Sequence, residues 1–318
     1  MDHTAQENKP KVLVTGGAGF IGSHVVDLLI ANGYKTVVID NLSTGSIANL
    51  NPRATFYKVD ICDRAIATIF DREKPDYICH HASRICESNS KDQVVGGADA
   101  NVLGSINLIE NARRHKVKLF LFASSGQDVY GEPLYLPCDE AHPVRPICPN
   151  GVSKSNIEQY LNLYHQSNEI EDYIVLRYPN IYGPRQRLHE GTSLFPPLIT
   201  KMLYGVQVVI DRQNDPREDY VYVTDCARAI LLFLENEAHT GIYNLGAGHS
   251  TPISTIITFI KEFINYQYTP VMNLMIEGKT RDIYLDARKI QREYGWQPRV
   301  DLLEGVEKTI AYYKQRMR

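Results

Sequence analysis

The sequence predicts an α/β protein with a doubly wound parallel sheet and a smaller, discontinuous C-terminal α/β lobe. Three observations support this prediction: short β-branched runs alternate with longer helical stretches, a glycine-rich turn follows the first such run, and the rhythm changes after Tyr178. Strand patterns that alternate with helical patterns are typical of βαβ units, whose strands form a parallel sheet.

The alternation begins at Lys11 and yields six candidate strands before Tyr178. The predicted strands are 12–14, 36–39, 56–59, 77–79, 119–123 and 173–177. The predicted helices between them are 21–32, 64–71, 98–115 and 153–168. Six strands connected in this way suit a doubly wound sheet.

Beyond Tyr178 the chain is punctuated by proline and glycine, at Gly183-Pro184, Pro196-Pro197 and Asp215-Pro216. Helix and strand patterns resume at 225–236 and 242–245. We therefore expect a first domain over 10–180, to which a late segment near 225–246 returns, and a second, discontinuous lobe over 181–318.

Composition excludes several classes of protein. The 34 basic and 37 acidic residues are spread along the chain and leave a net charge of −3, so nucleic acid and anionic lipid are not expected partners. No apolar run approaches the ~18 residues of a membrane span, and a cytoplasmic protein is expected. The six cysteines show no repeated spacing and are expected to be thiols. Cys79-His80-His81 with Cys86 lacks a second paired-ligand motif, so no metal is expected.

A glycine-rich turn follows the first predicted strand and opens the first predicted helix. Without Cβ atoms, Gly16 and Gly19 let the backbone turn tightly and approach a pyrophosphate, while Gly22 lets the helix pack closely on the sheet. The helix N-terminus offers free N–H groups and a positive dipole end to the phosphates. This arrangement indicates a dinucleotide-binding domain of the Rossmann type.

Asp40 strengthens this interpretation. It ends the second predicted strand, eighteen residues past Gly22, where a carboxylate can accept the adenosine ribose hydroxyls. Residues 41–45 contain no arginine or lysine, and a carboxylate at this position would repel a 2′-phosphate. The sequence therefore favours NAD over NADP.

Further motifs occur along nearly the whole chain. They are Thr15–His24, Asp40–Gly45, Asp60-Ile61, His80 with Ala82, Asn101–Gly104, Ala123–Gly126, Val129–Glu132, Ser153-Lys154, Arg177–Gln186, Asp219–Val223 and Gly295-Trp296. Together they resemble the UDP-glucose 4-epimerase group of the extended short-chain dehydrogenase/reductases, within the NAD-dependent epimerase/dehydratase family.

The resemblance implies an enzyme that keeps NAD bound, transiently oxidises a hydroxyl of a nucleotide sugar, and returns the hydride. It favours 4-epimerisation of a UDP-sugar, and it implies a homodimer formed through helices 98–115 and 153–168, although their apolar stripes would also suit ordinary core packing. The cofactor contacts that it implies are Gly16, Gly19, Phe20, Ile21, Gly22, Asp40, Asn41, Asp60, Ile61, Ala82, Ser83, Asn101, Lys154 and Tyr178.

The implied catalytic centre departs from the family at one position. In the family a tyrosine four residues before a lysine is the base, and a Ser or Thr shares the proton. Lys154 and Ser125 match, but Asn150 stands where the tyrosine is expected. An amide neither ionises near neutral pH nor relays a proton as a phenolate does.

Three explanations of Asn150 are open. Asp128, three residues beyond Ser125, is a candidate for a different acid/base group, although it could equally be a solvated loop carboxylate or a helix cap. Alternatively, the protein is a catalytically impaired or silent homologue that binds NAD and a ligand in a binding or regulatory role. An engineered substitution at Asn150 is the third explanation.

The implied substrate site also departs from the family, whose members hold the diphosphate with an asparagine and with arginines. Asn180 matches, but Glu218 stands where an arginine is expected, and Arg217, one residue earlier, would face the other way in a strand. The counterpart of a second family arginine is Ile276. The candidate substrate contacts are Arg84, Ser125, Asn180, Arg185 and Arg217, with Arg187, Arg212 and Arg281 as further cations.

Overall fold

A computed structural model of the protein describes residues 9–84, 91–188, 193–210, 215–236, 240–272 and 282–317. The strands are β1 Lys11–Thr15, β2 Lys35–Ile39, β3 Thr55–Tyr57, β4 Tyr77–His80, β5 Leu119–Ser125, β6 Asp172–Tyr178, β7 Asn180–Tyr182, β8 Val209–Ile210, β9 Arg217–Glu218, β10 Tyr220–Tyr222, β11 Gly241–Asn244, β12 Thr251–Pro252 and β13 Val271–Met272. The helices are α1 Phe20–Ala31, α2 Ala65–Glu73, α3 Lys91–Ala98, α4 Gly104–Arg114, α5 Gly126–Tyr130, α6 Pro149–Gln166, α7 Phe195–Leu203, α8 Val223–Glu235, α9 Ile253–Phe263, α10 Arg288–Tyr294 and α11 Leu302–Arg316.

The main sheet contains seven parallel strands in the order β11-β6-β5-β4-β1-β2-β3. The strand order reverses between β1 and β4, and this is the switch point at which a doubly wound sheet opens a crevice outside its carboxyl ends. The predicted fold class is confirmed. The seventh strand, β11, comes from the segment after Tyr178 and pairs with β6.

Helices cover both faces of this sheet, so the strands are buried on both sides and read as nearly continuous apolar runs. Val12 and Val14 of β1 lie in the core cluster that includes residues of α1 and α8. Leu13 lies in the opposite cluster, with residues of α2, α4 and α6. A third cluster joins α7, α9 and α11 in the C-terminal part of the chain.

Two predicted helices differ from those observed. The helix predicted over 98–115 follows directly on α3, which begins seven residues earlier at Lys91, and it consists of a π-helical stretch Asp99–Leu103 and α4. The helix predicted from 153 begins four residues earlier, at Pro149. Proline suits the first helical position because its missing N–H would have no intrahelical partner there, and Cys148 caps the turn by accepting the Gly151 N–H. Lys154 therefore lies in the second turn of α6.

The apolar stripes expected at a dimer interface pack into the protein itself. Ile109, Ile157 and Leu161 are buried in the second core cluster, and Ile106 and Tyr164 pack against it. This is the core-packing interpretation of those stripes, and the homodimer stays a prediction. In the part of the chain that the structure describes, no helix is long and apolar enough to cross a membrane.

Candidate functional site

The glycine turn lies at the switch point of the sheet, where the backbone leaves no room for side chains. Gly16 has a φ of +68°, and a Cβ there would lie 2.7 Å from the nitrogen of Ala82. A Cβ at Gly22 would lie 2.3 Å from the Gly16 oxygen, and one at Gly19 would lie 3.0 Å from it. The turn therefore has the close-packed backbone that a bound diphosphate requires.

Asp40 is buried at the end of β2, beside this turn. Its carboxylate accepts the backbone N–H of Ala18 at 3.0 Å and that of Leu42 at 2.8 Å. These two bonds hold the carboxylate next to the glycine turn, at the position predicted to bind the adenosine ribose.

The next predicted contacts continue along the same edge of the sheet. Asn41 donates to Asp60 at 2.6 Å. Although burial raises the pKa of Asp60, hydrogen bonds from Cys62 and Asn41 outweigh this and hold that pKa below its usual value. Ile61 is buried in the second core cluster. Asn41 and Asp60 are thus joined, the Ile61 side chain is buried beside them, and all three stay predicted cofactor contacts.

The other predicted cofactor contacts lie around the first turn of α1 and the loop after β4. Phe20 and Ile21 begin α1 and are partly buried against the first core cluster. Asn101, in the π-helical stretch, accepts the Ser83 hydroxyl at 3.1 Å and the Arg84 N–H at 2.7 Å, and donates to the Arg84 carbonyl at 2.9 Å. The Asn101 side chain therefore fixes the loop that runs beside the glycine turn.

The predicted catalytic residues meet where β5 leads into α5 and α6 begins. Asn150 Nδ2 donates to Asp128 Oδ2 at 2.6 Å. Ser125 caps α5 and accepts the Asp128 N–H at 3.3 Å. Lys154 is buried and donates from Nζ to the Ala123 carbonyl at 2.7 Å. The structure therefore brings an ionisable carboxylate against the residue that replaces the family tyrosine.

Helix geometry explains this assembly. Asn150 and Lys154 are four residues apart on α6 and so share one face of that helix. A Cβ at Gly151 of α6 would lie only 2.1 Å from the carbonyl oxygen of Asp128 in α5, so α5 and α6 approach each other closely at this point. Asp128 is a partly buried member of the first turn of α5 rather than a solvated loop residue.

Burial lowers the pKa of Lys154 to about 8, although the negative charges of Asp128 and Glu158 oppose this shift. Asn150 Oδ1 is buried and has no hydrogen-bond partner among the described residues. The site thus combines an ammonium group that can lose its proton near pH 8 with an acceptor that a ligand could satisfy.

A buried ion pair supports this cluster and was not anticipated from the sequence. Arg177 donates to Glu158 Oε2 at 2.6 Å and to Oε1 at 3.1 Å, and the Ser124 hydroxyl donates to Oε1 at 2.5 Å. Glu158 lies four residues beyond Lys154 on α6, but nothing in the sequence connected it with Arg177 of β6. The pair fixes α6 against β5 and β6.

Two aromatic rings flank β5 at the same edge of the sheet. His81 follows β4, Tyr178 ends β6, and their rings are parallel within 7° with centroids 6.5 Å apart. His81 Nδ1 and Tyr178 Oη are buried and have no partner within the described part of the chain. Polar atoms of this kind, together with the backbone cradle at Gly16, fit the binding of a polar dinucleotide. In the sequence, His81 was considered only as part of the Cys79-His80-His81 cluster of metal-ligand residue types.

On the substrate side, Asn180 lies with Glu218 rather than with Arg217. Asn180 donates to Glu218 Oε2 at 3.1 Å, and Tyr220 donates to the same oxygen at 3.0 Å. Arg217 is exposed and donates to the hydroxyl and carbonyl oxygens of Ser250, at 3.2 and 2.9 Å. Because successive side chains of a strand face opposite ways, Glu218 occupies the Asn180 side and Arg217 does not.

The remaining candidate cations have other neighbours. Arg185 is paired with Asp27 of α1 at 2.7 Å, and the exposed Arg84 lies against Gly96 of α3. Arg187 is exposed. The positions Arg212, Ile276 and Arg281, together with Cys86, lie outside the described residues. A narrow cleft beside Asn180 is lined by Gln127, Pro179, Asn180, Asp219, Ile283 and Leu285.

Comparisons with known proteins agree with this architecture. Residues 12–246 match the model of the NAD dependent epimerase/dehydratase family. A UDP-glucose 4-epimerase of Mycolicibacterium smegmatis is 32% identical, over 96% of this chain and 99% of its own length. The Thermotoga maritima UDP-glucose 4-epimerase, solved with UDP-glucose, has a TM-score of 0.92 at 37% identity, covering 97% of this chain and 100% of that one. The Thermus thermophilus UDP-glucose 4-epimerase, solved with NAD, has a TM-score of 0.87 at 34% identity, covering 96% and 99%.

Proposed function

Because this chain belongs to the NAD-dependent epimerase/dehydratase family, we propose that it is an enzyme that epimerises a nucleotide sugar at C4, with a UDP-sugar as substrate. One observation supports catalysis in spite of the missing tyrosine: the 2.6 Å hydrogen bond that joins Asn150 to Asp128, close to Lys154. This hydrogen bond places the ionisable carboxylate of Asp128 beside the position where the family has its tyrosine base.

NAD is the cofactor, and the chain's residues fit its two ends. The turn at Gly16, Gly19 and Gly22 would hold the diphosphate against the N-terminus of α1, and Asp40 would accept the adenosine ribose hydroxyls. Lys154 lies at the opposite end of the site, with Tyr178. When bound, NAD accepts a hydride from the sugar carbon and returns it.

In the proposed mechanism, Asp128 holds the proton that the family tyrosine would hold. Asn150 donates to Oδ2 of the carboxylate and orients it, so that Oδ1 can accept the proton of the sugar hydroxyl during oxidation and return it afterwards. The Lys154 ammonium group stabilises the carboxylate charge. The Ser125 hydroxyl can donate to the same sugar oxygen, since its oxygen already accepts the Asp128 N–H.

At the substrate end, the proposed contacts are Asn180 and three arginines. Asn180 lies at the position that the family uses for the diphosphate, but its amide is engaged by Glu218. Of the cations predicted to bind substrate, Arg84, Arg185 and Arg217 lie against Gly96, Asp27 and Ser250. Their assignment to the diphosphate stays a prediction.

The central experiment compares the wild-type protein with Asp128→Asn. The purified protein is assayed for bound NAD and for 4-epimerisation of a panel of UDP- and dTDP-sugars by NMR. Asp128→Asn should reduce turnover by about 10³-fold while NAD stays bound, in line with the usual contribution of a general base. Asn150→Ala should reduce turnover by about tenfold, because the carboxylate loses its orienting bond.

Asp71→Asn is the matched control, because Asp71 is an exposed carboxylate paired with His115 on the protein surface. It should leave turnover unchanged. Equal activity of Asp128→Asn and wild type would remove Asp128 from the mechanism. Tight NAD binding without epimerisation or transient absorbance at the NADH band, with every sugar, would instead support the silent, ligand-binding homologue.

A further inference from the structure

His81 lies directly between the glycine turn and the catalytic cluster. Its backbone N–H donates to the Thr15 carbonyl at 3.1 Å, and a Cβ at Gly16 would lie 2.8 Å from the His81 carbonyl carbon. In the sheet, β4 adjoins β1 on one side and β5 on the other. Neighbouring strands are about 4.8 Å apart, so His81 is one strand away from the diphosphate turn and one strand away from Ser125.

An extended dinucleotide that starts at the glycine turn and reaches Lys154 must pass the end of β4. Its adenosine end is directed toward Asp40, on the other side of β1, because β2 lies on that side. The part of the cofactor that reaches His81 is therefore the nicotinamide half. Tyr178, two strands further along the same edge, forms the far side of this region.

One polar atom of each ring has no hydrogen-bond partner among the described residues. His81 Nδ1 and Tyr178 Oη are each buried and without a hydrogen bond to any described residue. Leaving a buried polar atom without a hydrogen bond is unfavourable, so such atoms in a native protein call for an explanation such as a ligand. The two unpartnered atoms belong to parallel rings on either side of the end of β5. This arrangement indicates a single binding region.

The imidazole is an uncharged group. Burial, with a smaller contribution from the positive charge of Lys154, lowers the pKa of His81 to about 3. A neutral imidazole provides a single donor and a single acceptor, which suits an uncharged polar group better than a phosphate. The carboxamide of nicotinamide is a group of this kind.

We propose that His81 is a cofactor-positioning residue whose Nδ1 would hydrogen-bond the carboxamide of the nicotinamide when NAD is bound. The proposal rests on NAD being the cofactor but not on the sugar or on turnover. It assigns to His81 a role that neither its place in a motif nor its residue type indicates.

The test compares the affinities of two ligands, NAD and ADP-ribose, which lacks the nicotinamide. His81→Phe keeps the ring and removes the nitrogen, and it should weaken NAD binding about tenfold, equivalent to one buried hydrogen bond, while ADP-ribose binding is unchanged. His81→Asn, whose amide occupies roughly the place of Nδ1, should bind NAD within threefold of wild type. Calorimetry on protein freed of nucleotide supplies the affinities, and thermal melting checks that each variant is folded.

His81→Gln is the matched control, since its longer amide reaches the place of Nε2 instead, and it should resemble His81→Phe. Loss of both ligands' affinities by the same factor in a folded His81→Phe variant would overturn the carboxamide contact, as would unchanged NAD binding. The same titrations in the Asp128→Asn background separate this proposal from the proposed function, because they do not require epimerisation.

Discussion

The cofactor half and the catalytic half of the site are built in different ways. At the glycine turn, the backbone itself forms the site, and a Cβ at Gly16 or Gly22 would clash with main-chain atoms. At the catalytic centre, individual side chains from separate elements meet, as Asn150 and Asp128 do across 22 residues of sequence. A backbone site depends on local spacing, whereas a side-chain site depends on how helices pack.

This difference explains why one half resembles the family closely and the other does not. Replacing a glycine in the turn would disturb the main chain of two strands, but a catalytic side chain can be exchanged if a neighbour supplies equivalent chemistry. Asn150 and Asp128 are a pair of this kind in our proposal. Three changes, in order of expected effect, test how far the two halves differ.

Gly16→Ala should have the largest effect, on the cofactor half. The new methyl group would lie 2.7 Å from the Ala82 nitrogen, at a φ of +68°. Strain and displacement of the loop should weaken NAD binding by about 100-fold, equivalent to about 2.7 kcal/mol. Calorimetric titration with NAD measures the change.

Gly205→Ala is the matched control for that change. Gly205 has a φ of +65°, but a Cβ there meets no atom within 4 Å. It carries the same backbone strain without the close approach, so NAD affinity should stay within twofold of wild type. If Gly16→Ala and Gly205→Ala lost NAD affinity by the same factor, the loss would come from backbone strain in general and not from the close approach at the turn.

The pH dependence of turnover tests the catalytic half. Burial brings the pKa of Lys154 to about 8, so the ammonium form dominates below this pH and is lost above it. Since the ammonium charge stabilises the Asp128 carboxylate in the proposed mechanism, turnover should fall toward tenfold per pH unit above pH 8. Steady-state rates between pH 6 and 10 measure this limb.

Lys154→Met removes the titrating group, and its residual turnover should not show this alkaline limb. If turnover of Lys154→Met still declined above pH 8, the decline would belong to another titrating group. If wild-type turnover stayed constant up to pH 10, the proposed role of the ammonium charge would be wrong.

The smallest expected effect concerns the substrate end. Glu218→Gln removes a negative charge beside Asn180 but keeps an oxygen that can accept its amide. A diphosphate nearby should then bind better, and the KM for a UDP-sugar should fall about threefold, as expected for a partly solvated charge. Arg217→Met, on the opposite side of β9, should leave KM unchanged. A large rise in KM for Arg217→Met would restore Arg217 as a phosphate contact.

The sequence was a good guide to features that arise from local spacing. The alternation of strands and helices predicts the doubly wound sheet, and Gly16, Gly22 and Asp40 predict where its cofactor crevice lies. The start of α6 was harder to predict from the sequence, because it depends on the cap at Cys148 and on Pro149 and not on apolar periodicity. The domain boundaries stay predictions.

Residue identity alone could not decide between neighbouring candidates. Arg217 and Glu218 are adjacent, and only the folded structure shows that Glu218 faces Asn180, whose amide donates to its carboxylate. Similarly, nothing in the sequence distinguished Asp128 as a solvated carboxylate from Asp128 as the partner of Asn150.

The sequence by itself determined the fold class, the family and the dinucleotide turn, because periodicity and glycine spacing act over a few residues of chain. The tertiary structure decided which side chains meet: Asn150 with Asp128, Asn180 with Glu218, and His81 opposite Tyr178. These contacts join residues that are distant in sequence, and they form only when the strands align and the helices pack. The chemistry that the protein can carry out depends on these contacts.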